Sequence, residues 1–293
     1  MTEQVFAMDS SAQPFENNSS LCLSLIRGFE LRSGESVVQV APSAQRLVAF
    51  VALQDRAVRR LHASGVLWTD APEQRANSSL RSALWRTPSP DGRPLIQASS
   101  THLWLNPAVT VDFRETVSRA LSVLDREDGL QSADHLRGQL CQFGDDLLPD
   151  WYDDWLLGQQ ERFRQLRLHA LEAICGHLTD LGRYALALEA GLAAVACEPL
   201  RESAQRQVIR VHLKEGNAAE ALRQYRSYAR LLAAELGARP SRSMDRLLEG
   251  VTGNLAAVRH KSSGFDMVHT DHPAVTHRGR RPPVHSTGPR LTG

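Results

Sequence analysis

Lysine is almost missing from this chain. Of 34 basic residues only Lys214 and Lys261 are lysine, and the rest are arginine. That bias fits a GC-rich coding sequence as well as any function, so the basic residues must be judged by where they stand. Cysteine is sparse: Cys22, Cys141, Cys175 and Cys197 have no C-x-x-C spacing and no paired histidines at ligand distance. Such residues are expected to be buried free thiols, with no metal. No apolar run approaches the ~20 residues of a membrane span, so no membrane association is expected. The start, Met1 to Ser20, is polar and acidic and lacks a basic-then-apolar leader, which predicts a cytoplasmic protein. The phosphate-cradling G-x-x-x-x-G-K-S/T loop, the dinucleotide G-x-G-x-x-G and the G-x-S-x-G elbow are all absent. These absences predict neither an enzyme nor a bound cofactor.

What is present is an uneven distribution of charge along 293 residues, a length that suggests two domains. Residues 1–20 hold three acids and no base, and residues 21–108 hold ten arginines against six acids. Residues 109–250 reverse the sign, with 18 bases against 22 acids, and residues 251–293 return to six bases against two acids. A basic block is where an anionic partner such as DNA would sit.

The order of elements gives that block a shape. Leu21 to Val40 alternates and breaks at Arg32-Ser33-Gly34-Glu35, which predicts short antiparallel strands. A helix with Ser43 as N-cap follows, then a second from about Val58 to Trp68. A third is expected to start at Asp70 as N-cap, with Glu73 completing a capping box, and to stop before Pro88. Leu95 to Ala98 and His102 to Leu105 flank Ser99-Ser100-Thr101 and read as a hairpin, with Asn106-Pro107 a hinge beyond it. Strands, three helices and a hairpin in about 85 residues is the order of a winged helix-turn-helix, here expected to have its own core.

On the third helix Ala76, Leu80, Ala83, Leu84 and Thr87 share one side and predict the core face. The other side holds Gln74, Arg75, Ser78, Arg81, Ser82 and Trp85, flanked by Ser79 and Arg86. Short side chains between arginines let a helix approach the major groove, where arginine can bond guanine in a bidentate pair. Hydroxyls hold phosphates. On the hairpin, Arg93 and Ser99, Ser100, Thr101 and His102 suit a wing touching phosphate or minor groove.

Beyond Thr110 nearly everything reads as helix. Gly182-Arg-Tyr-Ala-Leu-Ala-Leu188 recurs as Gly216-Asn-Ala-Ala-Glu-Ala-Leu222 at the 34-residue offset of a tetratricopeptide. Ala185 matches Ala219 and Ala187 matches Ala221, predicting small residues where helix backbones approach. A solenoid of helix pairs is usually a platform for partners or dimerisation. The acidic cluster Asp145-Asp146 and Asp150 to Asp154 is expected to cap the long helix that starts there. Trp68, Trp104 and Trp155 are expected in the core, and Trp85 away from it. The same residues leave open an alternative, an interaction adaptor whose winged helix no longer binds DNA.

Several of these stretches resemble a known family. Gln45-Arg46-Leu47, Leu67-Trp68 and Arg75-Ala76-Asn-Ser-Ser-Leu80-Arg-Ser-Ala-Leu84-Trp-Arg86 are similar to the DNA-binding half of the Streptomyces antibiotic regulatory proteins. Leu147-Leu-Pro-Asp-Trp-Tyr-Asp-Asp-Trp155, Pro199-Leu-Arg-Glu-Ser203, Gly216-Asn, Glu220-Ala-Leu222, Tyr225, Glu235-Leu-Gly237 and Pro240-Ser241 resemble the bacterial transcriptional activator domain. The resemblance implies a mainly α fold. A winged helix-turn-helix at 21–108 would precede a tetratricopeptide-like all-α activator domain at 109–252, between disordered ends at 1–20 and 253–293. It also implies a homodimeric transcription activator that binds double-stranded DNA and recruits RNA polymerase. Where the family continues its third helix with leucine after Trp-Arg, this chain has Thr87 and then Pro88-Ser-Pro90, which implies an early helix end beside Arg86.

Overall fold

The computed structural model describes residues 20–125, 133–140 and 143–249. Cys141, most of the acidic N-terminus and the tail from 250 on, including the segments expected to be disordered, lie outside the described residues.

Leu21 and Leu23 alternate with partly exposed neighbours, and that period of two makes Leu21–Ser24 a strand, β1, with its leucines inward. It pairs antiparallel with β2 (Glu30–Ser33), which turns at Gly34 (φ 57°) into β3 (Ser36–Val37). Helix α1 (Pro42–Ala52) starts on a proline fit for a first turn and buries the run Leu47 to Ala52. Its N-cap is Ala41, not Ser43; Ser43 lies inside the helix and its Oγ is buried without a partner. The second helix is shorter than its sequence pattern suggests. Val58–Arg59 form a two-residue strand, β4, and α2 spans only Arg60–Leu67. Helix α3 (Glu73–Trp85) follows, capped by Pro72 rather than Asp70, with no side-chain cap bond. Strands β5 (Ile96–Ala98) and β6 (His102–Leu105) form the hairpin, and β6 sits between β5 and β4.

The segment expected as a hinge is a tied turn. Asn106 is 9% exposed, donates from Nδ2 to Pro94 O (2.9 Å) and accepts from Ala108 N (3.0 Å). Next, β7 (Val109–Val111) returns to the first sheet and lies parallel to β1, with Leu23 opposite Val111. At its end Asp112, the first residue of α4 (Asp112–Asp125), accepts from the amides of Leu25 (2.8 Å), Ile26 (3.2 Å) and Phe113 (2.6 Å). Burial pushes its carboxyl above the usual value, and those three bonds pull the other way.

The winged helix does not close a core by itself. Leu147, Leu148, Leu156 and Phe163 belong to the same buried cluster as Leu21, Leu47, Phe50 and Leu80. The Phe50 ring meets Trp155 edge-on at 5.3 Å, and Phe29 stacks on Trp151 at 6.2 Å. Backbone bonds join the same regions: Leu148 N donates to Leu25 O (2.9 Å) and Arg27 N to Asp146 O (3.0 Å). The expectation of an independent core in 21–108 is therefore corrected.

The acidic cluster serves both the start of the long helix, where Asp153 is the N-cap and Asp154 lies in the first turn, and this seam. Helix α6 (Asp154–Asp180), which follows α5 (Ala133–Leu140), has Asp153 at its N-cap with no side-chain cap bond. Asp153 pairs with Arg46 of α1 (2.5 Å) and Asp145 with Arg27 (2.6 Å). Asp146 pairs at 2.5 Å with Arg167, which is 1% exposed. Arg167 also donates to the carbonyls of Phe143 (3.0 Å) and Asp145 and to Cys197 Sγ (2.9 Å), and it lies over the Phe163 ring. A buried guanidinium is tolerable only when its donors are matched in this way.

Helices α6, α7 (Tyr184–Cys197), α8 (Glu202–Glu215) and α9 (Ala218–Leu236) pack in succession as antiparallel pairs. The 34-residue repeat is visible in how two helices end. Gly182 and Gly216 both take positive φ (69° and 91°). The following amides, Arg183 and Asn217, reach back to Leu178 O (2.9 Å) and His212 O (2.8 Å) in the same closing pattern. Ala187 and Ala221 are fully buried, as expected of close-approach residues, but Ala185 and Ala219 are exposed. Among the described glycines the tightest approach is at a residue the repeat does not single out. A Cβ on Gly191 would come within 2.9 Å of Val208 Cγ2 and 3.1 Å of Cys175 Sγ. Cys175 is buried and its thiol is pushed up to about 11 by that burial, whereas Cys22 and Cys197 are only half-buried. Among the described residues no helix is long and apolar enough to cross a membrane.

Candidate nucleic-acid interface

Helix α3 divides as its wheel predicts. Ala76, Leu80 and Ala83 are buried, and Leu84 and Thr87 are half-buried. Gln74, Arg75, Ser78, Arg81, Ser82, Trp85 and Arg86 line the other side, and Ser79 lies at the margin of that face. Three hydrogen bonds fix the helix and its face. Ser64 Oγ of α2 donates to Asn77 Oδ1 (2.9 Å), fastening α2 to α3. Ser78 Oγ donates to Gln74 O (3.0 Å) and accepts from Arg81 Nη2 (2.9 Å), so Arg81 is held before any partner arrives. The helix ends at Trp85 with Arg86 as C-cap, and Thr87 Oγ1 bonds back to Ala83 O (3.0 Å).

The hairpin tip is Ser99 to Thr101. Ser99 N donates to His102 O (2.9 Å), while Ser99 Oγ accepts from the amides of Thr101 (3.3 Å) and His102 (2.9 Å). Thr101 Oγ1 lies 2.9 Å from His102 Nδ1. Ser99, Ser100 and Thr101 are exposed and His102 is half-buried. Arg93 is not part of this tip: it follows the 3-10 turn Pro90–Gly92, at the opposite end of β5. Trp104 is not core either. Leu103 and Leu105 point inward, so Trp104 points outward, where its Nε1 donates to Gln97 Oε1 across the ladder (2.7 Å).

Two residues that sequence reasoning missed complete the surface. Arg60 N donates to Thr101 O (2.9 Å) and its Nη1 to Ser99 O (3.2 Å), which pins the wing tip to the start of α2. Arg59, exposed on β4, stands beside it. With Arg81, Ser100, Thr101 and His102, and with Leu61, Asn77 and Leu80, they line a cleft of about 490 Å³. Among the described residues no carboxylate pairs with Arg59, Arg60, Arg75, Arg81, Arg86 or Arg93. The guanidinium groups of Arg59, Arg60 and Arg81, gathered at this cleft, create a positive potential suited to a polyanion.

Comparisons with known proteins agree with this architecture. Residues 110–252 match the bacterial transcriptional activator domain. The chain is 27% identical over 240 residues to the regulatory protein AfsR of Streptomyces coelicolor, an alignment covering 75% of this chain and 23% of that protein. It therefore spans about a quarter of the length of that relative. A solved structure of Mycobacterium tuberculosis EmbR, in complex with a low-affinity phosphopeptide, matches with a TM-score of 0.68 at 20% identity. That match covers 84% of this chain and 70% of the other, and it speaks to the fold.

Proposed function

We infer that this chain is a member of the Streptomyces antibiotic regulatory protein family and a sequence-specific DNA-binding activator of transcription, a reading supported by its match to the bacterial transcriptional activator domain. The observation that carries this reading is the α3 face: arginines with no internal carboxylate partner among the described residues, spaced by serines, beside a wing tip of hydroxyls. Arg75, Ser78, Arg81 and Ser82 are nearest the bases, and Ser79 and Arg86 lie at the groove margins. Ser99, Ser100, Thr101 and His102, with Arg59 and Arg60, take the phosphates. Arg93 lies away from the wing tip and serves at most a flanking phosphate. The protein has no catalytic role. It acts in the cytoplasm as a homodimer, meeting RNA polymerase through its helical domain.

The testing experiment is a gel shift on fragments of the source genome across a salt series. A DNA reader gives an affinity whose logarithm falls linearly with log salt, plus a subset of fragments bound far above background. Flat salt dependence would contradict the reading. The dimer is tested separately with one-site and two-site duplexes. Ala221→Leu, which overpacks the α8–α9 contact, should weaken two-site binding far more than one-site binding. Equal losses would indicate a monomer.

A further inference from the structure

Trp85 is the most exposed large hydrophobic residue among the described residues, at 86%. It does not stand alone. Positions 74, 78, 81 and 85 are spaced four, three and four apart and form one stripe along α3, ending in Trp85. The other stripe residues are polar. Arg81, Arg86 and Arg75 stand on it or beside it with no carboxylate partner among the described residues. The charge around the indole therefore suits a polyanion. A second copy docked face to face through the same stripe would set arginine against arginine. The major groove offers one apolar group to a protein, the 5-methyl of thymine.

We propose that Trp85 is a specificity-determining residue that packs on a thymine methyl group in the major groove. The proposal rests on the reading of α3 as the DNA-facing helix. Trp85 lies four residues beyond Arg81, about 6 Å along the helix axis. The thymine therefore falls within about two base pairs of the guanine that Arg81 reads. Arg81 supplies polar readout, and Trp85 supplies apolar discrimination beside it.

The test begins with selection of random-sequence duplexes by the full chain, its Trp85→Ala variant and its Arg81→Ala variant. Because Trp85 is exposed, Trp85→Ala should melt like the parent. The wild-type chain should enrich a thymine next to the guanine lost in the Arg81 variant, and Trp85→Ala should lose that thymine alone. Deoxyuridine at that position of the selected duplex removes only the methyl group. It should weaken wild-type binding about fourfold, the worth of one buried methyl group, and leave Trp85→Ala unchanged. Trp85→Phe should keep part of the preference. Identical selected sequences and no deoxyuridine effect would overturn the inference while leaving DNA binding standing. Reduced self-association of Trp85→Ala without DNA, with its sequence preference intact, would overturn it in favour of a protein contact. Failure of every chain to enrich any duplex would overturn both this inference and the function on which it rests.

Discussion

The arginines of α3 and those of the seam beneath it are the same residue in opposite circumstances. In the seam, Arg27, Arg46 and Arg167 each meet a carboxylate of the segment 145–153. On α3 and around the wing, Arg59, Arg75, Arg81 and Arg86 meet none among the described residues. A guanidinium that is neutralised internally supports structure, whereas one left unneutralised on a preformed face is available to an outside anion. Net charge along the chain could not separate the two groups, because Arg27 and Arg46 lie in the same basic block as Arg81.

Cutting the chain at the seam should have the greatest effect. Residues 21–108 alone lack β7 and the apolar residues contributed from 147–163, the buried Leu147, Leu148, Leu156 and Phe163 and the half-buried Trp151 and Trp155. The fragment should show no cooperative melting by near-ultraviolet circular dichroism, whereas the full chain does. A sharp transition in the fragment would mean that the seam only joins two self-sufficient domains. Arg167→Ala removes a buried ion whose partners include two backbone carbonyls, and should destabilise by about 3 kcal/mol in denaturant titration. Within the helical repeat, Gly191→Ala pushes a methyl group against Val208 and should cost about 1–3 kcal/mol by the same titration. Arg46→Ala has a smaller effect on the seam. Its ion pair with Asp153 is partly exposed, and its loss should cost about 1 kcal/mol or less. Ala185→Ser, at an exposed position of the repeat, should change stability by less than about 0.5 kcal/mol.

Much of the fold was legible because it depends on local periodicity. The alternation of Leu21 and Leu23, the two-sided wheel of α3 and the glycine-ended repeat helices all follow from neighbours along the chain. The failures share a non-local cause. Val58 and Arg59 become a strand only because Leu103 and His102 pair with them. Arg59 and Arg60 join the candidate site for the same reason. The helix-start role of the acidic cluster is local, with Asp153 at the N-cap of α6, but its pairing with Arg27 and Arg46, more than 100 residues away, is not. Gly191 carries no sequence signal beyond its being glycine, because its role is set by Val208 on another helix. Trp104 is different: the inward alternation of Leu103 and Leu105 already points it outward, so its orientation could have been read from the sequence.

If the free arginines of α3 read DNA and hold nothing else together, binding and stability must separate at Arg81. The decisive measurement is Arg81→Ala, assayed for binding to a selected duplex and for its thermal midpoint in the same preparation. Specific binding should weaken by about 1–3 kcal/mol, the worth of a lost bidentate base contact, with the midpoint essentially unmoved. Unchanged specific affinity in a folded Arg81→Ala protein would contradict this reading of α3.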